Sequence, residues 1–164
     1  MAKEFKITSG FGNGIGSSVI NGALDEIYLS KYKHLDEHLC LKPFPQGIVD
    51  PDKKKATWKR YREEILTDNG ATIFLCGNKK DASGDKVIAD GCLQEFEIAK
   101  RNNNIIIPLG VTGGASEIIL SEVKADLSVY PYLEKYINIL EKEQDVEKLV
   151  NAVVELLEET RKIR

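Results

Sequence analysis

The chain has 164 residues, 42% of them hydrophobic, and a formal net charge of −3. That length suits the core of one globular domain over residues 1–164, and the acidic balance excludes a general nucleic-acid binder, which needs a basic excess to neutralise phosphates. No apolar run approaches the roughly 20 residues that cross a bilayer and no signal-peptide stretch opens the chain, so a cytoplasmic protein with no membrane partner is expected.

Apolar alternation over residues 4–8 predicts a strand, and Ser9-Gly10-Phe11-Gly12-Asn13-Gly14-Ile15-Gly16 predicts a glycine turn that opens a helix. Gly12, Gly14 and Gly16 permit positive φ and remove the Cβ atoms that would hold a ligand off the backbone. The helix N–H groups behind them can face an anion, which is a phosphate cradle in outline. The G-x-G-x-G-x-G spacing is neither the dinucleotide fingerprint nor a Walker loop, so an ordinary NAD dehydrogenase or ATPase is disfavoured. Val19, Ile20, Ala23, Leu24, Ile27 and Tyr28 recur three and four apart and predict one apolar stripe on a helix over 15–32. His34 and His38 read as a solvated pair, with no third metal ligand. Cys40, Cys76 and Cys92 lack zinc spacing and are assigned to packing, so no metal is expected.

Leu39–Leu41 predicts a short buried strand, stopped by Lys42-Pro43-Phe44-Pro45-Gln46-Gly47. Ligands of open parallel sheets bind beyond the carboxyl ends of strands, so Lys42, Phe44 and Gln46 form either a pocket wall or a rigid proline turn. Asp50-Pro51 predicts a capped helix with Trp58, Tyr61 and Ile65 on its apolar stripe and an end near Asp68-Asn69-Gly70. Lys53, Lys54, Lys55, Lys59, Arg60 and Arg62 crowd the rest of its surface, and Arg62, next to the apolar Tyr61, is the cation expected to reach inward.

Ala71–Cys76 predicts a central strand buried on both faces. Its exit, Gly77 to Asp85, either brings Asn78 and Lys79 over a bound anion or forms a plain hairpin. A helix from Ile88 to about Arg101 follows, with Cys92, Leu93, Phe96 and Ala99 inward and Asp90, Glu95 and Glu97 off the core. Ile105–Leu109 predicts another buried strand, and Gly110 to Ser116 a third glycine-rich exit leading to a helix at Glu117. The three exits are expected to gather on one sheet edge. Tyr130-Pro131-Tyr132 breaks the chain and Ile137 and Leu140 mark a helical patch. Asp145 caps a last helix with Val146, Leu149, Val150, Val153 and Leu157 inward and Glu155, Glu158 and Glu159 in solvent. Strands alternating with helices imply an α/β doubly wound parallel sheet with helices on both faces.

Taken together, Ile7 to Gly16 with Val19-Ile20-Asn21-Gly22, Leu41-Lys42-Pro43-Phe44-Pro45, Tyr61-Arg62, Phe74 to Lys79, and Ala89-Asp90-Gly91 with Glu95 to Ala99 resemble the SLOG domains. The resemblance is specific to the C-terminal sensors of ThsA-type effectors of the Thoeris antiphage system. It implies a Rossmann-like fold lacking the usual first strand and helix. It also implies a ligand, a cyclic ADP-ribose isomer derived from NAD by a TIR-domain protein, with no cofactor. The implied partner is a sirtuin-like NAD-hydrolysing domain in the parent effector, within a homodimer or higher homo-oligomer.

The ligand-binding set on this resemblance is Ser9, Gly10, Phe11, Gly12, Gly14, Arg62, Asn78, Lys79 and Glu95. Backbone at Gly12 and Gly14 would lie near a phosphate or ribose, Arg62 and Lys79 on the pyrophosphate, and Glu95 on a ribose hydroxyl. The related LOG enzymes cleave a nucleotide's glycosidic bond with a P-G-G-x-G-T-x-x-E loop, and Cys76-Gly77-Asn78-Lys79 stands here instead. Binding without turnover, and no catalytic residue, is therefore expected. A LOG-like phosphoribohydrolase and a scaffold with a vestigial pocket are the alternatives.

Overall fold

A computed structural model of the chain describes residues 5–12, 14–29 and 34–162. They gather into two compact units, Met1–Asp68 and Asn69–Arg164. The architecture is mixed α/β: two parallel strand pairs, one antiparallel hairpin and intervening helices.

In the first unit β1 (Ile7–Ser9) pairs in parallel with β2 (Leu39–Leu41), Ile7 opposite Leu39 and Ser9 opposite Leu41. Helix α1 (Gly16–Leu29) connects them, followed by the single turn α2 (Leu35–His38). The first residue of the expected opening strand, Glu4, and Asn13 of the glycine turn lie outside the described residues, as do residues 30–32 at the end of the predicted helix. Ile20, Ile27 and Leu39 are buried together with Ala23 and Leu24 against them, as the three-and-four spacing requires. Tyr28, placed on that stripe by its spacing, is 64% exposed, because the stripe drifts off the core at the last turn. Leu41 is likewise exposed, so β2 is buried at its first residue only. The helix α3 (Pro51–Thr67) starts as its sequence predicts: the Asp50 carboxylate accepts from the Asp52 and Lys53 N–H groups, both at 3.0 Å, and Pro51 stands where no N–H is needed.

In the second unit β3 (Ala71–Leu75) pairs in parallel with β6 (Ile105–Leu109), Ala71 opposite Ile105 and Leu75 opposite Leu109. Ile106 and Ile107 of β6 are buried, whereas Ile73 of β3 is 43% exposed, so β3 is not covered on both faces. Between them β4 (Asn78–Lys80) and β5 (Lys86–Ile88) form an antiparallel hairpin, and α4 (Asp90–Arg101) returns the chain to β6. The hairpin turn is held by the Asp81 carboxylate, which accepts from the Ser83 and Asp85 N–H groups, both at 2.9 Å. Helices α5 (Ala115–Ala125), α6 (Ile137–Lys142) and α7 (Val146–Arg161) complete the unit, with short 3₁₀ turns at Gly110–Thr112 and Pro131–Leu133.

One core of Phe74, Phe96, Ile106, Ile107, Ile119, Leu133, Leu140 and Leu156 unites these elements. On α7 the inward residues are Leu149, Ala152, Val153 and Leu156, while Val146 is 72% and Val150 53% exposed. The helix is thus rotated from its expected face, because Ala152 and Leu156, four apart, complete a stripe with Leu149 and Val153. The expected solvated face is also partly engaged, since the Lys135 ammonium pairs with Glu159 at 2.5 Å and Glu155 at 3.8 Å.

Candidate functional site

In the first unit the glycine turn separates into two kinds of glycine. Among the described residues a Cβ built at Gly12 or Gly14 meets no atom within 4 Å, and Gly14 holds φ at +100°. A Cβ at Gly16 would stand 2.9 Å from the Phe11 carbonyl carbon, so Gly16 is required by the turn itself. Phe11 lies in the left-handed region at φ 51°, is 51% exposed, and donates its N–H to the Ser9 hydroxyl at 3.2 Å. The turn therefore presents Gly12, Gly14 and an aromatic ring outward.

The ladder of β1 and β2 continues one step past the strands, with the Lys42 N–H donating to the Ser9 carbonyl at 2.9 Å. That pairing lays the two strand exits side by side. A Cβ at Gly10 would come 3.0 Å from Phe44 Cε2, so the ring occupies the space left by the missing side chain. Phe44 meets Trp58 edge-on at 5.5 Å and Tyr61 at 5.4 Å between centroids. Trp58 is fixed in turn by its indole N–H, which donates to the Pro45 carbonyl at 2.9 Å.

Over this aromatic floor lies the half-buried Arg62, its guanidinium carbon 5.1 Å from the Phe44 ring centroid and 5.9 Å from that of Trp58. Lys54 adds a second cation 4.7 Å from the Trp58 ring. Of the proline-loop residues, Phe44 stands beside Arg62, Lys42 lies 3.8 Å from the Asp68 carboxylate, and Gln46 donates its amide to the Phe44 carbonyl at 3.0 Å. The first unit thus brings Gly10, Phe44 and Arg62 into one cluster, with Ser9, Phe11, Gly12 and Gly14 on the adjoining turn.

In the second unit two of the three glycine exits meet. Cys76, in the left-handed region at φ 58°, donates its N–H to the Thr112 hydroxyl at 2.7 Å and accepts from the Ser116 N–H at 3.0 Å. The Gly77 carbonyl accepts from Ala115 at 3.2 Å and from Ala89 at 2.9 Å. The first two amides of α5 are therefore engaged by the neighbouring exit. The glycines here make room for protein: a Cβ at Gly77 would be 2.6 Å from Ala115 Cβ, and one at Gly110 would be 2.3 Å from Leu120 Cδ2. The exit at Gly110 to Ser116 packs against the exit after β3, whereas the Gly10 exit belongs to the first unit. Within the second unit, two of the exits expected to gather are thus found together.

Asn78 opens β4 with its side chain against Gly114, where a Cβ would be 2.7 Å from Asn78 Nδ2. The hairpin form of this segment places Lys79 on β4, where its ammonium pairs with the Asp90 carboxylate at the first turn of α4. Glu95 is half-buried in the middle of α4 and is not on an outer face, because Ile98, three residues on, is 4% exposed. Glu95 stands five positions after Asp90, so the carboxylate that holds Lys79 and the carboxylate expected at a ribose stand on different faces of α4. Sequence reasoning took Trp58 only as a core residue and passed over Thr112 and Ser116. The signal for Trp58 was its place four residues before Arg62, on the helix that follows the Phe44 loop. Among the described residues no group of three or more His, Cys, Asp or Glu side chains is placed to hold a metal, and no helix is long and apolar enough to cross a membrane.

The sequence model of STALD, the Sir2- and TIR-associating SLOG family, matches residues 1–160. The chain is similar to the NAD(+) hydrolase ThsA of Bacillus cereus (strain MSX-D12), 38% identical over 162 residues, which covers 95% of this chain and 33% of that protein. The NAD(+) hydrolase ThsA of Acinetobacter baumannii (strain 532279) is 40% identical over 131 residues, 77% of this chain and 27% of its own. That of Enterococcus faecium is 35% identical over 158 residues, 93% and 32% of the respective chains. The chain therefore spans a third of the length of these relatives or less.

Proposed function

We propose that this chain, which belongs to the Sir2- and TIR-associating SLOG family, is a nucleotide-sensing domain for a cyclic ADP-ribose isomer, an NAD-derived second messenger of antiphage defence. Its relatives carry the name NAD(+) hydrolase. On this reading the chain controls a sirtuin-like NAD-hydrolysing domain and works in the cytoplasm as a homodimer or higher homo-oligomer.

The observation that carries the proposal is the Arg62 guanidinium laid over Phe44, beside the Gly10 exit of β1. Its planar fork of donors matches a pyrophosphate, and aromatic packing reduces the freedom it would lose on binding. Gly12 and Gly14, open at their missing Cβ positions, let a phosphate or ribose approach the backbone, with Ser9, Gly10 and Phe11 as its flank. In the second unit nucleotide binding is assigned to Lys79 as a cation for phosphate, Asn78 as an amide, and Glu95 as a carboxylate that accepts from a ribose hydroxyl. None of these acts as a catalyst, and no cofactor takes part.

Titration calorimetry with the cyclic ADP-ribose isomers tests the reading. Saturable binding that Arg62→Glu and Lys79→Glu each weaken, with thermal unfolding unchanged, is the expected result. No heat with any isomer would end it, and release of adenine from AMP in a manner abolished by Glu95→Gln would make the chain an enzyme.

A further inference from the structure

We infer that Phe44 is a positioning residue of the Arg62 guanidinium, and that Gly10 lacks a side chain to seat Phe44 and not to admit a ligand. The inference rests on the nucleotide reading of the same site and adds to it the part of the molecule that holds the anion-binding group in place. Three observations carry it. The Phe44 ring is held by Trp58 at 5.5 Å and Tyr61 at 5.4 Å, both edge-on, and Trp58 is itself tied to the Pro45 carbonyl at 2.9 Å. It also fills the site where a Gly10 Cβ would stand 3.0 Å away. A ring fixed on these sides presents its π face to Arg62, 5.1 Å distant.

An arginine side chain on a helix surface has several rotatable bonds and samples many rotamers. A cation stacked on an immobile ring is drawn to one region by the quadrupole, and the guanidinium donors lie in its own plane, where a phosphate would meet them. Trp58 alone does not do this, since it stands farther off at 5.9 Å and serves mainly to fix Phe44. The chain of dependence runs from Gly10 to Phe44 to Arg62. A substitution at the first glycine of the turn is then felt at a cation on a helix more than fifty positions later.

The experiment compares Phe44→Leu, Phe44→Tyr, Gly10→Ala and Arg62→Ala in the full chain, each checked by thermal unfolding. A ligand-free readout comes first. In the wild type the Arg62 side-chain Hε and Hδ resonances carry a ring-current shift, which is lost in Phe44→Leu, kept in Phe44→Tyr and altered in Gly10→Ala. Binding is read by calorimetry with ADP-ribose, the cyclic ADP-ribose isomers and inorganic pyrophosphate. Phe44→Leu is expected to weaken binding about three- to tenfold, the range of a partly desolvated cation–π contact, and Phe44→Tyr to restore it. In an Arg62→Ala background the Phe44→Leu loss should vanish.

An unshifted Arg62 resonance in Phe44→Leu, or a binding loss that persists in full without Arg62, overturns the inference. Should Phe44→Leu fail to fold, the Gly10→Ala and Phe44→Tyr shifts decide it alone. If no nucleotide or pyrophosphate binds the wild type, the nucleotide reading fails and Phe44 has no anion to position, while the resonance shifts still report whether the ring fixes Arg62.

Discussion

The Tyr132 hydroxyl sits on the outer edge of β6, accepting the Ile106 N–H at 2.9 Å and donating to the Ile106 carbonyl at 3.3 Å. Ile105 donates to Gly70 at 2.9 Å on the β3 side, so Ile106, one residue on, faces the other way, where Tyr132 takes the place of a further strand. Burial pushes the Tyr132 hydroxyl above its usual pKa, although the bond to Ile106 opposes this, so it remains a donor throughout the neutral range. Tyr132→Phe leaves the Ile106 N–H and carbonyl unpaired in the interior. Stability should fall by about 1–3 kcal/mol, and chemical denaturation measures it.

A second prediction separates glycines that seat protein from those that face outward. Gly113 and Gly114 both hold positive φ, at 72° and 69°, so alanine strains either by about 1–3 kcal/mol. Gly114→Ala adds a collision, its Cβ lying 2.6 Å from the Cys76 carbonyl oxygen, whereas no atom of the described residues lies within 4 Å at Gly113. Gly114→Ala should therefore be the more destabilising, and equal melting temperatures for the two variants would contradict the packing of the two exits.

Much of this was legible beforehand, and the failures share a cause. The Asp50 and Asp145 caps, the strand at Ile105–Leu109 and the inward α4 residues Phe96 and Ala99 followed from local pattern, because capping and periodicity are properties of a few neighbouring residues. The rotation of α7, the exposure of Ile73 and the engagement of the Ala115 and Ser116 amides were not, since each depends on partners distant in sequence. At the candidate site Arg62 was legible as the inward cation beside Tyr61, but its stacking on Phe44 needs the proline loop and helix α3 in register.

Acid titration should reach the second unit through two carboxylates. The Lys124 ammonium, 2.6 Å from Glu141, and the Lys135 ammonium, 2.5 Å from Glu159, hold those carboxyls below their ordinary value of 4.5. A depressed folded pKa adds stability that is present above about pH 4.5 and is lost as pH falls through the folded value. Lys135 is shifted upward by the same Glu159 partner, so its share is present at neutral pH and is lost only in strong alkali. Unfolding midpoints between pH 6 and pH 3 should flatten in Lys124→Gln and Lys135→Gln, and unchanged slopes would show the pairs to be inert.

Lys79 gives a prediction with opposite signs at its two partners. Its ammonium is paired with Asp90, both groups lying at the surface, so an incoming phosphate must compete with that carboxylate. Lys79→Ala should weaken nucleotide binding about tenfold, the loss of a charge-assisted hydrogen bond. Asp90→Asn should tighten it by about two- to fivefold, the strength of an exposed ion pair, and less at high salt. Weaker binding in Asp90→Asn would mean that the pair itself orders Lys79 for the ligand.

A cyclic ADP-ribose isomer should bind at least tenfold more tightly than linear ADP-ribose or NAD. The reason lies in what each ligand gives up. The cyclic compound has already lost the rotation about its ribose and pyrophosphate bonds, whereas each rotor-rich group that a linear ligand orders opposes binding by about 0.5–1.5 kcal/mol. Tenfold corresponds to about 1.4 kcal/mol, so two or three such groups suffice. The protein side is suited to a ligand of fixed shape: Phe44 is held by two rings and Gly10, and Arg62 is stacked upon it. Calorimetry at fixed ionic strength gives the ratio directly. Equal or tighter binding of the linear nucleotides would redefine the domain as a general ADP-ribose binder, and in that case Phe44→Leu should weaken linear and cyclic ligands alike, since the guanidinium meets the same pyrophosphate in both.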